Sequence, residues 1–188
     1  MSNLAEYVPG PAFGAQMRKK EGETWTLIVE RELRHPPEKV WEAITDPVHL
    51  REWAPFDADG NLGVEGSAVK LTTVGAAKPL VTETIVTRAD APRALEYTWN
   101  GNEMKWELEA VRGGTRLTLW TAINRHFIAM GAAGWHVAFD ALDRLLVGQP
   151  MKRIFGPEGM KLPSFQQLHA GYAKLFGVQM PNVGPKQG

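Results

Sequence analysis

In Ala132-Ala133-Gly134-Trp135-His136-Val137-Ala138-Phe139-Asp140-Ala141-Leu142-Asp143-Arg144-Leu145-Leu146-Val147-Gly148, the residues Trp135, Ala138, Phe139, Leu142, Leu145 and Leu146 recur at i, i+3, i+4, i+7, i+10 and i+11. That is the spacing of an amphipathic helix of about four turns, which must bury one stripe against something else. Gly148 and Pro150 stop it. The partner lies upstream. Segments 69–74, 80–88, 94–99, 104–112 and 115–124 all read as strands, and Gly75, Pro92, Gly101 and Gly113-Gly114 punctuate them. The Gly113-Gly114 pair between two alternating runs is a hairpin signal, and successive hairpins make an antiparallel meander rather than βαβ crossovers.

Further out, Trp25, Leu27, Val29 and Leu33 share one parity while Thr24, Thr26, Glu30 and Glu32 share the other. Such alternation marks a half-buried strand. His35-Pro36-Pro37 ends it and opens a helix carrying Val40, Trp41 and Ile44; Thr45-Asp46-Pro47 then restarts a short helix reaching Trp53. At the other end, Ser164 and Gln167 have capping-box spacing ahead of the stripe Phe165, Leu168, Tyr172, Leu175 and Phe176, which predicts a helix over 164–176 closed by Gly177. Residues 1–22, with Pro9, Gly10, Pro11, Gly14 and the basic run Arg18-Lys19-Lys20, read as an extended arm with a solvated charge cluster. The expected organisation is therefore an arm (1–22), an α+β domain (23–149) and a C-terminal extension (150–188).

Strand, two short helices, meander and long helix together resemble the START-like (SRPBCC) superfamily, and within it the branch of activator-of-heat-shock-protein-ninety-ATPase homologues (AHSA-type). The resemblance rests on Arg31-Glu-Leu-Arg-His-Pro-Pro-Glu-Lys-Val-Trp-Glu-Ala-Ile-Thr-Asp-Pro-Val-His-Leu-Arg-Glu-Trp53, on Leu95-Glu-Tyr-Thr-Trp99, on Gly114-Thr-Arg-Leu-Thr-Leu119, and on Gly134-Trp135 followed by Leu142-Asp-Arg-Leu145. It implies a helix-grip fold, a curved antiparallel sheet wrapped around a long C-terminal helix, with an extra C-terminal helix here. It is specific for fold and not for activity. Position 121 is Thr, where related sequences often place His after Leu-x-Leu-Trp, so a His-dependent reaction in relatives has no counterpart there.

Composition narrows the function classes. Lys+Arg and Asp+Glu both number 21, which argues against nucleic acid and against a polybasic membrane anchor. With no cysteine, disulfides, thiolate nucleophiles and Cys-based metal sites are excluded. No apolar run approaches the ~20 residues of a membrane span, and Met1–Glu6 shows no signal peptide. The expectation is a cytoplasmic protein.

Familiar catalytic and metal sites fail on spacing. Asp57-Ala-Asp59-Gly-Asn61 starts like a calcium loop, but Leu62 holds the glycine position and Ala68 the bidentate acid position. Ser2, Ser67 and Ser164 lack a nucleophile-elbow context, and His35, His49, His126, His136 and His169 contain no i, i+4 pair. No metal, cofactor or catalytic residue is assigned.

What remains is the concave face. The resemblance implies a pocket between sheet and long helix, and side-chain parity selects its wall: Leu27, Val29, Arg31, Tyr97, Trp99, Met104, Trp106, Leu108, Leu117, Leu119 and Thr121, with Trp135, Phe139 and Leu142 from the helix. Three large indoles, Trp99, Trp106 and Trp135, are equally able to fill that space as core. Arg31 on the inward parity needs a carboxylate, with Asp140 a candidate, or an anionic ligand. His136 and Asp140 at i, i+4 are read as a surface pair beside the apolar stripe, with a general-base role as the sharper alternative. Ile28, Val81, Ile85 and Trp120 have the opposite parity and need cover, from the 164–176 helix, the arm or a second subunit in a homodimer.

Three functions follow. The first is a binder of a small hydrophobic or amphipathic molecule without defined catalysis. The second is a cofactor-independent cyclase, aromatase or dehydratase drawing on Arg31, Tyr97 and His136. The third, implied by the AHSA-type resemblance alone, is contact with a chaperone ATPase.

Overall fold

The computed structural model describes residues 7–180. Nine strands and five helices follow in the order β1 (Ala15–Glu21), β2 (Thr24–Leu33), α1 (Pro37–Thr45), α2 (Pro47–Trp53), β3 (Phe56–Ala58), β4 (Ala68–Thr73), β5 (Leu80–Ile85), β6 (Arg88–Asp90), β7 (Ala94–Trp99), β8 (Asn102–Val111), β9 (Gly114–Asn124), α3 (Ile128–Leu146), α4 (Gly156–Met160) and α5 (Pro163–Phe176). This is the α+β helix-grip architecture.

Six strands form one antiparallel sheet in the order β1-β2-β9-β8-β7-β6, and β3-β4-β5 form a second. Register places the inward parity in rows across the large sheet. Leu27, Thr121, Met104 and Tyr97 make one rung; Val29, Leu119, Trp106 and Leu95 make the next. Side chains alternate strictly along a strand, so aligned rungs put a continuous apolar surface on one face. Leu27, Leu119, Trp106, Phe139 and Leu142 are all buried between that surface and α3. Pro37 sits in the first turn of α1, the Asp46 carboxylate accepts from Val48 N–H to cap α2 at 2.8 Å, and the Trp53 indole N–H donates to Ala43 C=O. These contacts pin the α1–α2 corner.

Several expectations are corrected. The arm is not separate from the sheet: Ala15–Glu21 is its edge strand, paired with β2, and Arg18, Lys19 and Lys20 lie exposed along it, where charge discourages edge pairing. The arm's first six residues lie outside the described residues. Segment 80–88 is two strands, because the chain changes sheets at Val86, whose N–H donates to Ser67 C=O while Thr87 N–H donates to Glu96 C=O. Asp57 lies in β3, and the chain bends only from Asp59, with Gly63 N–H donating to the Asn61 side-chain oxygen at 2.6 Å. The long helix starts at Ile128, four residues before 132, because Ile128 and Ala129 are buried and extend the stripe. The capping box of α5 is absent. Leu162 is the N-cap, Pro163 opens the helix, and Ser164 falls inside the first turn.

The outer face is also covered differently from expectation. α5 packs on α3 of the same chain, burying Phe165, Leu168 and Tyr172. Ile28 is nevertheless buried, the Lys105 ammonium stands 5.3 Å from the Trp120 ring centroid, and Val81 and Ile85 are each 51% exposed. Among the described residues, no helix is long and apolar enough to cross a membrane.

Candidate ligand-binding site

The centre of the sheet–helix interface is closed. Trp106 is fully buried with its ring 6.1 Å from Trp53, 6.0 Å from Phe139 and 5.6 Å from Trp135, and its indole N–H donates to the Tyr97 hydroxyl at 3.1 Å. The Trp53 and Trp135 contacts are edge-to-face and the Phe139 ring is tilted, arrangements that pack aromatic rings closely. Burial pushes the Tyr97 hydroxyl far above its ordinary value, so it stays protonated.

Beyond Trp135 the interface opens into a cleft of about 470 Å³. One wall is the N-terminal half of α3, through Met130, Gly131, Gly134 and Trp135. The sheet supplies Thr121–Ile123 from β9 and Trp99 and Asn102 from the β7–β8 turn. The end of β4 and its following loop, Thr73–Ala76, stand opposite together with Pro55. The chain after α3 completes the enclosure with Phe155, Gly156, Pro157 and Met160.

Of the residues chosen by parity, Trp99, Thr121 and Trp135 line this cleft. Leu27, Val29, Tyr97, Met104, Trp106, Leu108, Leu117, Leu119, Phe139 and Leu142 are brought together as buried core and do not line it. Trp106 therefore fills the middle, while Trp99 and Trp135 form the boundary of an open end.

Sequence reasoning missed the two α3 glycines, the 74–76 loop and the 155–160 segment. A signal for the glycines was present, since glycine inside a helix is costly by about 1 kcal/mol relative to alanine and asks for a reason. A Cβ at Gly131 would come within 2.5 Å of the Ile123 terminal methyl, whereas one at Gly134 would meet nothing within 4 Å. Gly131 permits close packing. Gly134 keeps the cleft wide.

Among the described residues, no side chain lining the cleft is ionisable. Its polar groups are few. The Thr73 hydroxyl accepts from the Trp99 indole N–H at 3.2 Å and from the Asn100 amide at 3.4 Å, which leaves its proton as a donor. The Thr121 hydroxyl donates to the Met104 sulfur at 3.2 Å and keeps its oxygen as an acceptor.

The charged residues singled out from sequence meet elsewhere. Asp140 receives hydrogen bonds from Arg31 at 2.6 Å and from the Tyr7 hydroxyl at 2.5 Å, with His136 Nε2 at 3.4 Å. Arg31 is thus ion-paired with Asp140. Burial pushes the Asp140 carboxyl up, but the bonds from His136, Arg31 and Tyr7 outweigh it and hold the group at about 2. The expected surface position of His136 is wrong: it is 1% exposed, because the N-terminal segment and α5 cover this side of α3. Its Nδ1 lies 2.8 Å from the Tyr172 hydroxyl, whose one proton is directed at Phe13 C=O at 2.9 Å. None of these groups lines the cleft. Among the described residues, no group of three or more His, Asp or Glu is placed to hold a metal ion.

The curved sheet gripping α3, with an apolar cleft at one end, defines a helix-grip protein of the SRPBCC class. The chain belongs to the family described as "Activator of Hsp90 ATPase homolog 1-like protein", whose model matches residues 34–147. Among solved structures, CalU16 from Micromonospora echinospora is similar at 24% identity and TM-score 0.62, over 86% of this chain and 96% of its own. A conserved protein of unknown function, EF2215 from Enterococcus faecalis, is similar at 19% identity and TM-score 0.61, over 86% and 89%. The AHSA1-like protein from Aeromonas hydrophila is similar at 21% identity and TM-score 0.54, over 65% of this chain and 92% of its own. The comparison with curated proteins finds no match.

Proposed function

We propose that the protein binds a small hydrophobic or amphipathic molecule in the cleft bounded by Trp99, Thr121 and Trp135, without catalysing its conversion. The observation that carries this reading is an open space of about 470 Å³ whose lining side chains, among the described residues, carry no ionisable group. Ligand sites of this kind run from about 300 to 1,000 Å³, apolar with a few placed polar groups. Thr73 and Thr121 offer one donor and one acceptor, which suits a ligand with a single hydroxyl or carbonyl. A charged end belongs at the mouth, where Ala76, Asn102 and Pro157 are exposed.

The cyclase or dehydratase alternative needs an acid and a base beside the substrate. The His136–Asp140 pair is spent on binding Tyr7, Arg31 and Tyr172 on another side of α3. Binding is the better-supported reading.

N-phenyl-1-naphthylamine, an uncharged fluorophore, tests it directly. Its emission is expected to rise on addition of the protein, and Gly134→Leu, which projects a side chain into the open space, is expected to abolish that rise with the fold intact by circular dichroism. No enhancement with the unmodified protein, or full enhancement with Gly134→Leu, overturns the reading.

A further inference from the structure

The far wall of the cleft comes from outside the matched family domain. That domain ends at residue 147, and Phe155, Gly156, Pro157 and Met160 all lie beyond it. The segment is anchored at its start: Met151 and Ile154 are buried, and the Arg153 guanidinium donates to Asp57 at 2.8 Å and to Ala54 C=O at 3.2 Å. From Phe155 onward its position depends on shape. Gly75 and Gly156 both have φ of +77° and cross backbone to backbone, so that a Cβ on Gly156 would stand 2.3 Å from the Gly75 oxygen, and one on Gly75 would stand 2.7 Å from the Phe155 oxygen. Only glycine fits such an approach at positive φ. No backbone hydrogen bond joins 155–160 to the 74–76 loop among the described residues.

We propose that Phe155–Met160 is the selectivity wall of this cleft: it limits the length of the apolar ligand admitted, and the Gly75–Gly156 crossing sets where that limit falls. The inference rests on the ligand-binding reading above. Apolar ligands gain affinity with each methylene they bury and stop gaining when they meet a wall. The wall's two large flexible or aromatic side chains, Phe155 and Met160, are the groups a growing chain reaches, since Gly156 has no side chain and Pro157 is exposed at the mouth.

The test displaces N-phenyl-1-naphthylamine with straight-chain 1-alkanols from six to fourteen carbons. With the unmodified protein, affinity is expected to rise about fourfold per carbon and then to level off or fall at a definite length. Met160→Ala and Phe155→Ala are expected to move that break by about two carbons, the room left by the deleted side-chain atoms. Gly156→Ala, which forces the crossing apart without touching Met160 or Phe155, is expected to move it in the same direction. Failure of the fluorophore to bind at all, or binding untouched by Gly134→Leu, counts against the ligand-binding reading itself. Binding that Gly134→Leu blocks, with the chain-length break unmoved in all three wall variants, overturns the selectivity wall alone. Gly156→Ala and the side-chain truncations act by different routes, so a folding defect in one leaves the others decisive.

Discussion

Arg31 on β2 and Asp140 on α3 are joined by a 2.6 Å hydrogen-bonded ion pair, which fixes the long helix against the sheet edge that the N-terminal segment then covers. Asp140 is the hub, because Tyr7 and His136 share the same carboxylate. Its carboxyl lies at about 2 in the folded protein against an ordinary 3.8. A depressed folded value means that the ionised form is favoured by folding. The stabilisation is complete above the ordinary value and is lost as pH falls through the folded one. The expected result is a fall in urea stability of about 2 kcal/mol between pH 4 and pH 2 attributable to this group. Asp140→Asn should flatten that part of the profile while lowering stability at pH 7. A profile that is as steep in Asp140→Asn as in the unmodified protein refutes the assignment.

Tyr172 tests how the terminal segments are tied together. Its hydroxyl meets His136 Nδ1 and Phe13 C=O, so one phenol links α5, α3 and the N-terminal segment. Tyr172→Phe keeps the ring packing and removes both bonds, leaving a buried imidazole nitrogen unpaired. Such a loss costs roughly 1–3 kcal/mol. Amide hydrogen exchange at residues 7–14 should accelerate more than exchange in β8 and β9, because the released segment opens locally before the sheet does. Uniform acceleration would mean that the hydroxyl supports the whole fold and not this junction.

The placement of these residues shows what was legible in the amino-acid order. Parity along Leu27–Val29, Met104–Trp106–Leu108 and Leu117–Leu119 identified the inner face, and the α3 stripe identified its partner, because both are local periodicities. His136 was misplaced for a physical reason. A single stripe assumes one buried side, but α3 is covered by the sheet on one side and by α5 and the N-terminal segment on another, so a polar residue off the stripe is also buried. The Arg31–Asp140 pairing was inferable, since an inward guanidinium needs a carboxylate. The cleft was only partly inferable. Trp99 and Thr121 follow from strand parity and Trp135 from the helical stripe, but the other walls depend on where residues 74–76 and 155–160 come to rest, and neither segment carries a period.

Gly134 should be replaceable by alanine with profit. Its position inside α3 costs backbone entropy, and a Cβ there meets nothing within 4 Å. Gly134→Ala is expected to raise stability by about 1 kcal/mol, which for a chain of this size is a shift of about 2–4 °C in Tm. The methyl narrows the cleft without closing it, so N-phenyl-1-naphthylamine should bind more weakly than to the unmodified protein. Unchanged or lowered stability would mean that the space beside Gly134 is not free.

The charge character of the cleft makes a last prediction. Binding that depends on a titrating wall group must change affinity across that group's pKa, because each protonation state interacts differently with the ligand. Among the described residues no lining side chain is ionisable, and the His136–Asp140 pair does not line the cleft. The Kd of N-phenyl-1-naphthylamine, itself uncharged in this range, is therefore expected to stay constant within about twofold from pH 5 to pH 9, a drift of less than about 0.5 kcal/mol. Its 8-sulfonate derivative carries a fixed negative charge beside the amine, in the middle of the molecule where it cannot stay at the mouth, and should bind at least tenfold more weakly, since an anion pressed against these walls loses hydration and gains no cation in return. A bell-shaped pH profile for the neutral fluorophore would place an acid and a base within its reach, and would put the cyclase or dehydratase reading ahead of simple binding.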